Sequence, residues 1–271
     1  GILGFNIMVA MNHYETYVRK AVETGADFIV SGAGLPLELP AMVSDTDIAI
    51  APIVSGARAA ALILKYWEKK YHRYPDFIVI EGPEAGGHLG FSRKQLEEKM
   101  DYDMEISEIL KLVRVYEKKA ERKIPVAVGG GICDKARADH GFMLGADLIQ
   151  VASRFITTKE CDADSAYKDA YLKARKEDIV LVSSPVGMPG RAIRNPFLER
   201  VEKGEFQRPQ KCFGCLKHCN PAEIPYCITE ALIHAVKGDT ENGLLFCGAQ
   251  VYLANQIETV QDVMEDLLEG L

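Results

Sequence analysis

The sequence predicts an α/β protein, a parallel (β/α)8 TIM barrel with six βα units visible and a C-terminal helical and loop extension. Three observations predict it. Strand-length apolar runs alternate with helix-period segments from the first residues to about residue 160. The strand runs are continuously apolar rather than alternating, as parallel strands covered on both faces are. Glycine-rich turns follow the fourth and fifth runs and a small-residue turn follows the sixth, at the strand ends where parallel barrels collect their chemistry.

Strands are expected at 4–10, 28–31, 48–54, 77–81, 126–129 and 148–152. The clearest helix runs over 104–119, with Ile106, Ile109, Leu110, Val113 and Tyr116 on one stripe and charges opposite. A second covers 58–71 through Leu62, Ile63, Tyr66 and Trp67, and Pro75 and Asp76 break it before the next strand. Asp134 is placed to cap a helix that ends near Gly145. Six units stand against the eight that a closed barrel needs, so residues 1–160 are expected to be a barrel lacking its first two units, which would precede Gly1. An open doubly wound sheet is the competing architecture.

From Cys161 the repeat stops. Residues 161–271 are read as an extension packed over the barrel mouth, with an extended stretch at 179–182 and a cysteine cluster. A final amphipathic helix would carry Ile257, Val260, Val263, Met264, Leu267 and Leu268.

Composition narrows the classes. Hydrophobic residues make up 48% and charged residues 26%, the balance of a globular chain with a full core. The net charge of −7 comes without a basic stripe, which argues against a nucleic-acid surface. The apolar runs fall short of the roughly 20 residues a membrane span requires. Seven cysteines without a secretion signal point to a reducing, cytoplasmic setting.

Three strand-end turns carry the candidate chemistry. The first is Glu81-Gly82-Pro83-Glu84-Ala85-Gly86-Gly87-His88-Leu89-Gly90, the second Gly129-Gly130-Gly131-Ile132, the third Gln150-Val151-Ala152-Ser153-Arg154-Phe155. The last two suit a phosphate, since glycines let backbone N–H groups approach an anion and Ser153 adds a hydroxyl. The plainer reading is that the glycines only make tight turns. A lone histidine is by default an ordinary core or surface residue. His88, beside paired glycines at the functional end of a barrel, can instead serve as base, proton donor or hydrogen-bonding electrophile.

EGPEAGGHLG, the GGGI turn and GADLIQVASRF together resemble the nitronate monooxygenases (2-nitropropane dioxygenases), and equally the related FMN-dependent enoyl-acyl-carrier-protein reductases. FNIMVA resembles the family's third barrel strand, and AVKGDTENGLLFCGAQ the closing stretch of both branches. The resemblance implies an FMN-dependent oxidoreductase acting on a small-molecule substrate, in oligomeric form, with the family's flavin-contacting Gln-Gly-Gly segment lying before Gly1. It places Asn6, Glu81, Gly86, Gly87, Gly130 and Gly131 against the flavin, Gln150, Val151, Ala152 and Ser153 at its phosphate, and His88 as the catalytic histidine. The leading expectation is oxidation of alkyl nitronates with O2. The alternative is enoyl-thioester reduction with NAD(P)H as co-substrate, and a second alternative is a non-catalytic flavin or metal redox sensor. Glu81 departs from the nitronate branch, which usually has Gln there; a carboxylate donates a hydrogen bond only when protonated. Phe91-Ser92-Arg93 departs from the reductase branch.

Cys212, Cys215, Cys219 and Cys227, next to His218, are spaced C-x2-C-x3-C-x7-C, a candidate zinc or iron–sulfur site. The competing reading is free thiols in a packed loop. Cys133, Cys161 and Cys247 are expected to be packing residues. Arg191 and Arg194 either meet an anionic substrate or tie down a loop, the second being the commoner use.

Overall fold

The computed structural model describes residues 1–98, 101–205, 207, 209 and 211–270. The strands are β1 (Gly4–Met8), β2 (Phe28–Gly32), β3 (Ala49–Val54), β4 (Ile78–Glu81), β5 (Gly87–His88), β6 (Val126–Gly129), β7 (Leu148–Gln150), β8 (Ile179–Ser183) and β9 (Pro189–Ile193). The helices are α1 (Tyr14–Glu23), α2 (Leu39–Met42), α3 (Ala57–Tyr71), α4 (Arg93–Glu97), α5 (Tyr102–Ala120), α6 (Lys135–Met143), α7 (Ser153–Ile156), α8 (Ser165–Lys173), α9 (Pro196–Glu202), α10 (Ile228–Val236) and α11 (Val260–Leu268).

The chain divides into two compact units. The first comprises Gly1–Gly82, Lys99–Gly129 and Gly141–Gln150; the second comprises Pro83–Glu98, Gly130–His140 and Val151–Leu271. The division is interleaved rather than a single cut near residue 160. The turns that follow β4, β6 and β7 all leave the strand unit and join the second.

In the first unit six strands form one parallel sheet in the order β1-β2-β3-β4-β6-β7. Each new strand is added beside the previous one in a single direction. A doubly wound sheet would reverse its order at a switch point. The progression is that of consecutive units of a (β/α)8 barrel, and the open-sheet alternative falls.

The two faces of this sheet are distinct. Ile29, Ile50, Ile78, Ile80, Val126 and Val128 are buried against α1, α3 and α5, through Val18, Ile63, Leu64, Trp67, Ile109 and Val113. The stripe expected on residues 104–119 is the buried face of α5. Glu105 from α5 accepts the Ala57 N–H at 2.6 Å, so one helix meets an orphan donor at the start of the other. The opposite face is lined by Val30, Ala51, Val79 and Ala127, flanked by Phe28, Ile53 and Phe77. These small side chains leave room on that face, where the large ones fill the other.

In the second unit β5, β9 and β8 form an antiparallel sheet in that order. The extended stretch expected at 179–182 is β8; β9, and its pairing with the histidine loop, carried no expectation. Phe197, Leu198, Leu216, Tyr226, Ile228, Ala231 and Leu244 form one core of this unit, and Tyr171, Ile193, Ala235, Leu245, Cys247 and Val251 another. In α11 only Val263 and Leu267 of the expected stripe are buried; Ile257, Val260, Met264 and Leu268 are exposed. Among the described residues, no helix is long and apolar enough to cross a membrane.

Candidate active site

Strand register decides which side chains of the first unit share a face, because laterally paired residues point the same way. Asn6 pairs with Val30 and Val30 with Ala51; two residues on, Ile53 pairs with Val79. Two residues further, Glu81 pairs with Gly129 and Gly129 with Gln150. Asn6, Glu81 and Gln150 therefore stand on the face away from the helices, with Glu81 and Gln150 at the C-terminal ends of β4 and β7. Asn6 lies mid-strand and is exposed. Burial pushes the Glu81 carboxyl up to about 7, so near neutral pH much of it is protonated and can donate a hydrogen bond. Tyr102 fixes the main chain there by donating to the Glu81 carbonyl at 3.1 Å and the Ser55 carbonyl at 3.0 Å.

His88 belongs to the second unit, where β5 pairs with β9 through Gly87–Arg191 and His88–Gly190. Its imidazole is held on two sides. Nε2 lies 2.7 Å from Oγ of Ser184, and the ring meets the Phe246 ring edge-on, centroids 5.0 Å apart at 68°. Phe246 is itself anchored: Ala192 on β9 bridges to it, and the buried Tyr171 hydroxyl donates to its carbonyl at 2.5 Å. Burial lowers the His88 pKa to about 4, which leaves a neutral imidazole at pH 7.

The rest of the histidine loop is set from beneath. Buried Arg191 donates to the Ala85 carbonyl, the loop-tying use of this arginine. Gly86 rests on the backbone of Cys247 and Gly248, where an added Cβ would lie 2.5 Å from the Cys247 carbonyl carbon. The Glu84 carbonyl accepts from Ala249 N–H at 3.0 Å, and its carboxylate from Arg137 at 2.9 Å and Gln250 at 3.1 Å.

Gly130 and Gly131 have φ of +99° and +77°, the left-handed region that requires glycine here. Glu84 packs against Gly131, and Arg137 offsets its charge. Arg154 donates to the Cys133 carbonyl at 2.5 Å, tying this turn to α7. Ser153 Oγ accepts the Gly248 N–H at 2.9 Å, leaving its own proton to donate. Val151 is half-buried and Ala152 exposed.

Among the described residues, no group of three or more His, Cys, Asp or Glu side chains is placed to hold a metal ion, so the zinc or iron–sulfur expectation has no site here. The four cysteines have other surroundings. Cys227 is buried just before α10, Cys215 and Cys219 pack on the apolar core, and exposed Cys212 accepts the Gly214 N–H at 3.4 Å. All seven thiols are free.

The strand order, the turns at the strand ends and the half-buried, neutral histidine define the class: a parallel βα-barrel protein with an enzyme-like histidine loop. The family model for nitronate monooxygenase matches residues 2–270. The chain belongs to the nitronate monooxygenase family. A probable nitronate monooxygenase of Staphylococcus saprophyticus is 28% identical over 134 residues, 49% of this chain and 36% of that protein. One from Staphylococcus aureus strain Newman is 31% identical over the same shares. These matches take in only about a third of the relatives' length. Among solved structures, FabK from Thermotoga maritima superposes with a TM-score of 0.76 at 25% identity, over 98% of this chain and 75% of that one. A nitroalkane oxidase from Streptomyces ansochromogenes, at 17% identity and a TM-score of 0.72, covers 98% and 80% and shares the fold.

The sequence singled out His88 but not Ser184, Phe246 or Tyr171. Ser184 lies 96 positions from its partner, with no local signal beyond a turn composition, Ser-Pro-Val-Gly, between two strand-forming runs.

Proposed function

We propose that this protein is an FMN-dependent oxidoreductase that oxidises alkyl nitronates with O2, with His88 as the group facing the substrate. The observation that carries the reading is the neutral His88 imidazole, held between Ser184 and Phe246 in a chain matched end to end by the nitronate monooxygenase family. A nitronate is already an anion and needs no strong base to remove a proton. An uncharged hydrogen-bond donor to its oxygens suits it better than a basic imidazole would.

The residues present fit a flavin phosphate in the second unit. The Gly130-Gly131 turn frees backbone N–H groups, Ser153 retains a donor proton, and Arg137 offsets the nearby Glu84 carboxylate. In the first unit, Asn6, Glu81 and Gln150 on the open sheet face are the proposed flavin contacts, and in the second Gly86, Gly87, Val151 and Ala152. The bound flavin would supply the electron transfer to and from substrate and oxygen. The chain's own part is to position, to exclude water and to present the His88 donor. Seven free thiols fit a reducing, cytoplasmic setting.

Enoyl-thioester reduction with NAD(P)H is the second reading, favoured by the likeness to FabK and by Glu81 in the place of glutamine. Oxygen uptake with an alkyl nitronate and NAD(P)H oxidation with a crotonyl thioester, measured on flavin-loaded protein, separate the two. Turnover of the nitronate alone supports the proposal. Turnover of the thioester alone replaces it, and neither activity refutes both.

A further inference from the structure

The hairpin between β8 and β9 reaches across to the histidine loop with one side chain. Ser184 opens its tip, is 8% exposed, and stands 2.7 Å from His88 Nε2. The tip is closed by Ser184 N–H to the Met188 carbonyl at 3.2 Å and Gly187 N–H to the Ser184 carbonyl at 2.9 Å. The hairpin is tied to the histidine strand as well, since Leu89 N–H donates to the Pro189 carbonyl at 2.9 Å. The backbone of Ser184 is therefore fixed, and its Oγ is held by the Val186 N–H and by His88.

We propose that Ser184 is a positioning residue that fixes His88 in the tautomer with its proton on Nδ1, making Nδ1–H the donor offered to a substrate oxygen. The assignment rests on the reading of His88 as the substrate-facing group.

Proton accounting carries it. A serine hydroxyl has one proton to give and two lone pairs to receive. The Val186 N–H already points at Oγ from 3.3 Å and takes one lone pair. Were Nε2 protonated, both neighbours would donate to Oγ, and the hydroxyl proton would need a third partner. Among the described residues, Nε2 is the acceptor that this hydroxyl reaches. The satisfied arrangement has Ser184 donating to a bare Nε2, and a neutral imidazole then carries its proton on Nδ1. The Phe246 ring packs against the imidazole at a steep angle, centroids 5.0 Å apart. One fixed Nδ1–H donor serves a nitronate oxygen and a thioester carbonyl alike, so the device does not depend on which branch the enzyme follows.

Long-range proton–nitrogen correlation spectra of the full chain labelled at histidine read the tautomer directly, with His88→Gln used to assign the signal. The expected spectrum has Nε2 at the shift of an unprotonated ring nitrogen and Nδ1 at that of a protonated one. Ser184→Ala is expected to move His88 toward the Nε2-protonated form and to lower kcat about tenfold with less change in KM, a loss of about 1.4 kcal/mol in the transition state. Ser184→Thr, which keeps the hydroxyl, is expected to restore both. A protonated Nε2 in the parent overturns the proposal, as does an unchanged tautomer in folded Ser184→Ala. The spectrum needs no substrate, so failure of the nitronate or thioester assays would strike the functional reading and leave this test standing.

Discussion

Replacing Glu81 by glutamine should stabilise the first unit at alkaline pH and leave it nearly unchanged in acid. The Glu81 carboxyl is pushed by burial from its ordinary 4.5 up to about 7. At about 1.4 kcal/mol per pH unit, that displacement corresponds to about 3 kcal/mol. The sign follows from which state holds more protons. Between pH 4.5 and 7 the folded chain keeps the Glu81 proton that the unfolded chain has lost, so stability falls as pH rises through this window and is flat above it. Glutamine has the same shape and no charge to bury. The difference in stability, variant minus parent, should grow from near zero at pH 4.5 to about 3 kcal/mol at pH 8. Trp67, the single tryptophan, is fully buried in the same unit and donates to the Pro36 carbonyl at 3.1 Å, so its fluorescence in urea titrations reports the unfolding that matters. A difference constant with pH to within about 0.5 kcal/mol would refute the reasoning.

Other consequences are open to measurement. His88→Ala should keep flavin absorbance while turnover with the accepted substrate drops by roughly 10²–10⁴-fold; unchanged turnover removes His88 from the chemistry. Tyr171→Phe strips a fully buried hydroxyl from the Phe246 carbonyl and from Tyr167 at 2.7 Å, and should cost about 1–3 kcal/mol by calorimetry, with faster amide exchange around residue 246. Gly86→Ala forces a Cβ to within 2.5 Å of main-chain atoms that cannot move aside like a flexible side chain, so the variant should lose about 1–3 kcal/mol, as overpacked cores do. Full parental stability would show that the loop does not rest on residues 247–248.

The parallel sheet was legible because its information is local. Residues 126–129 were expected as a strand and form one without a residue's difference, since Val-Ala-Val-Gly is apolar throughout and buried throughout. The ends were less legible. β7 stops at Gln150, not Ala152, because pairing with β6 ends at Gly129–Gln150 and the chain turns at Ala152 into α7. Of the antiparallel sheet only the β8 stretch was expected. β5 is two residues inside a glycine-rich loop, and β9 opens with Pro189, which reads as a turn. The pairing of β5 with β9 is chosen by contacts about a hundred residues apart. The same distance hid Ser184, whereas His88 announced itself by the glycines beside it.

Glu81 and His88 are seven positions apart in sequence and titrate in reversed order. Burial raises the acid to about 7 and lowers the base to about 4, so at neutral pH the imidazole is uncharged and about half of the carboxyl is protonated. This changes the weight of the one residue that departs from the nitronate branch. An ionised glutamate in place of glutamine would set a negative charge at the proposed flavin contact and could accept but not donate. A protonated one offers an O–H where glutamine offers an N–H, and brings no repulsive charge. The departure then becomes a pH dependence rather than a change of chemistry. The proposed nitronate oxidation should weaken above about pH 7 as Glu81 ionises, and Glu81→Gln should remove that decline while leaving the rate at pH 6 nearly the same. A pH profile of kcat/KM that declines alike in parent and variant would mean that the Glu81 carboxyl does not bear on the reaction, and that the glutamate is no obstacle to either branch.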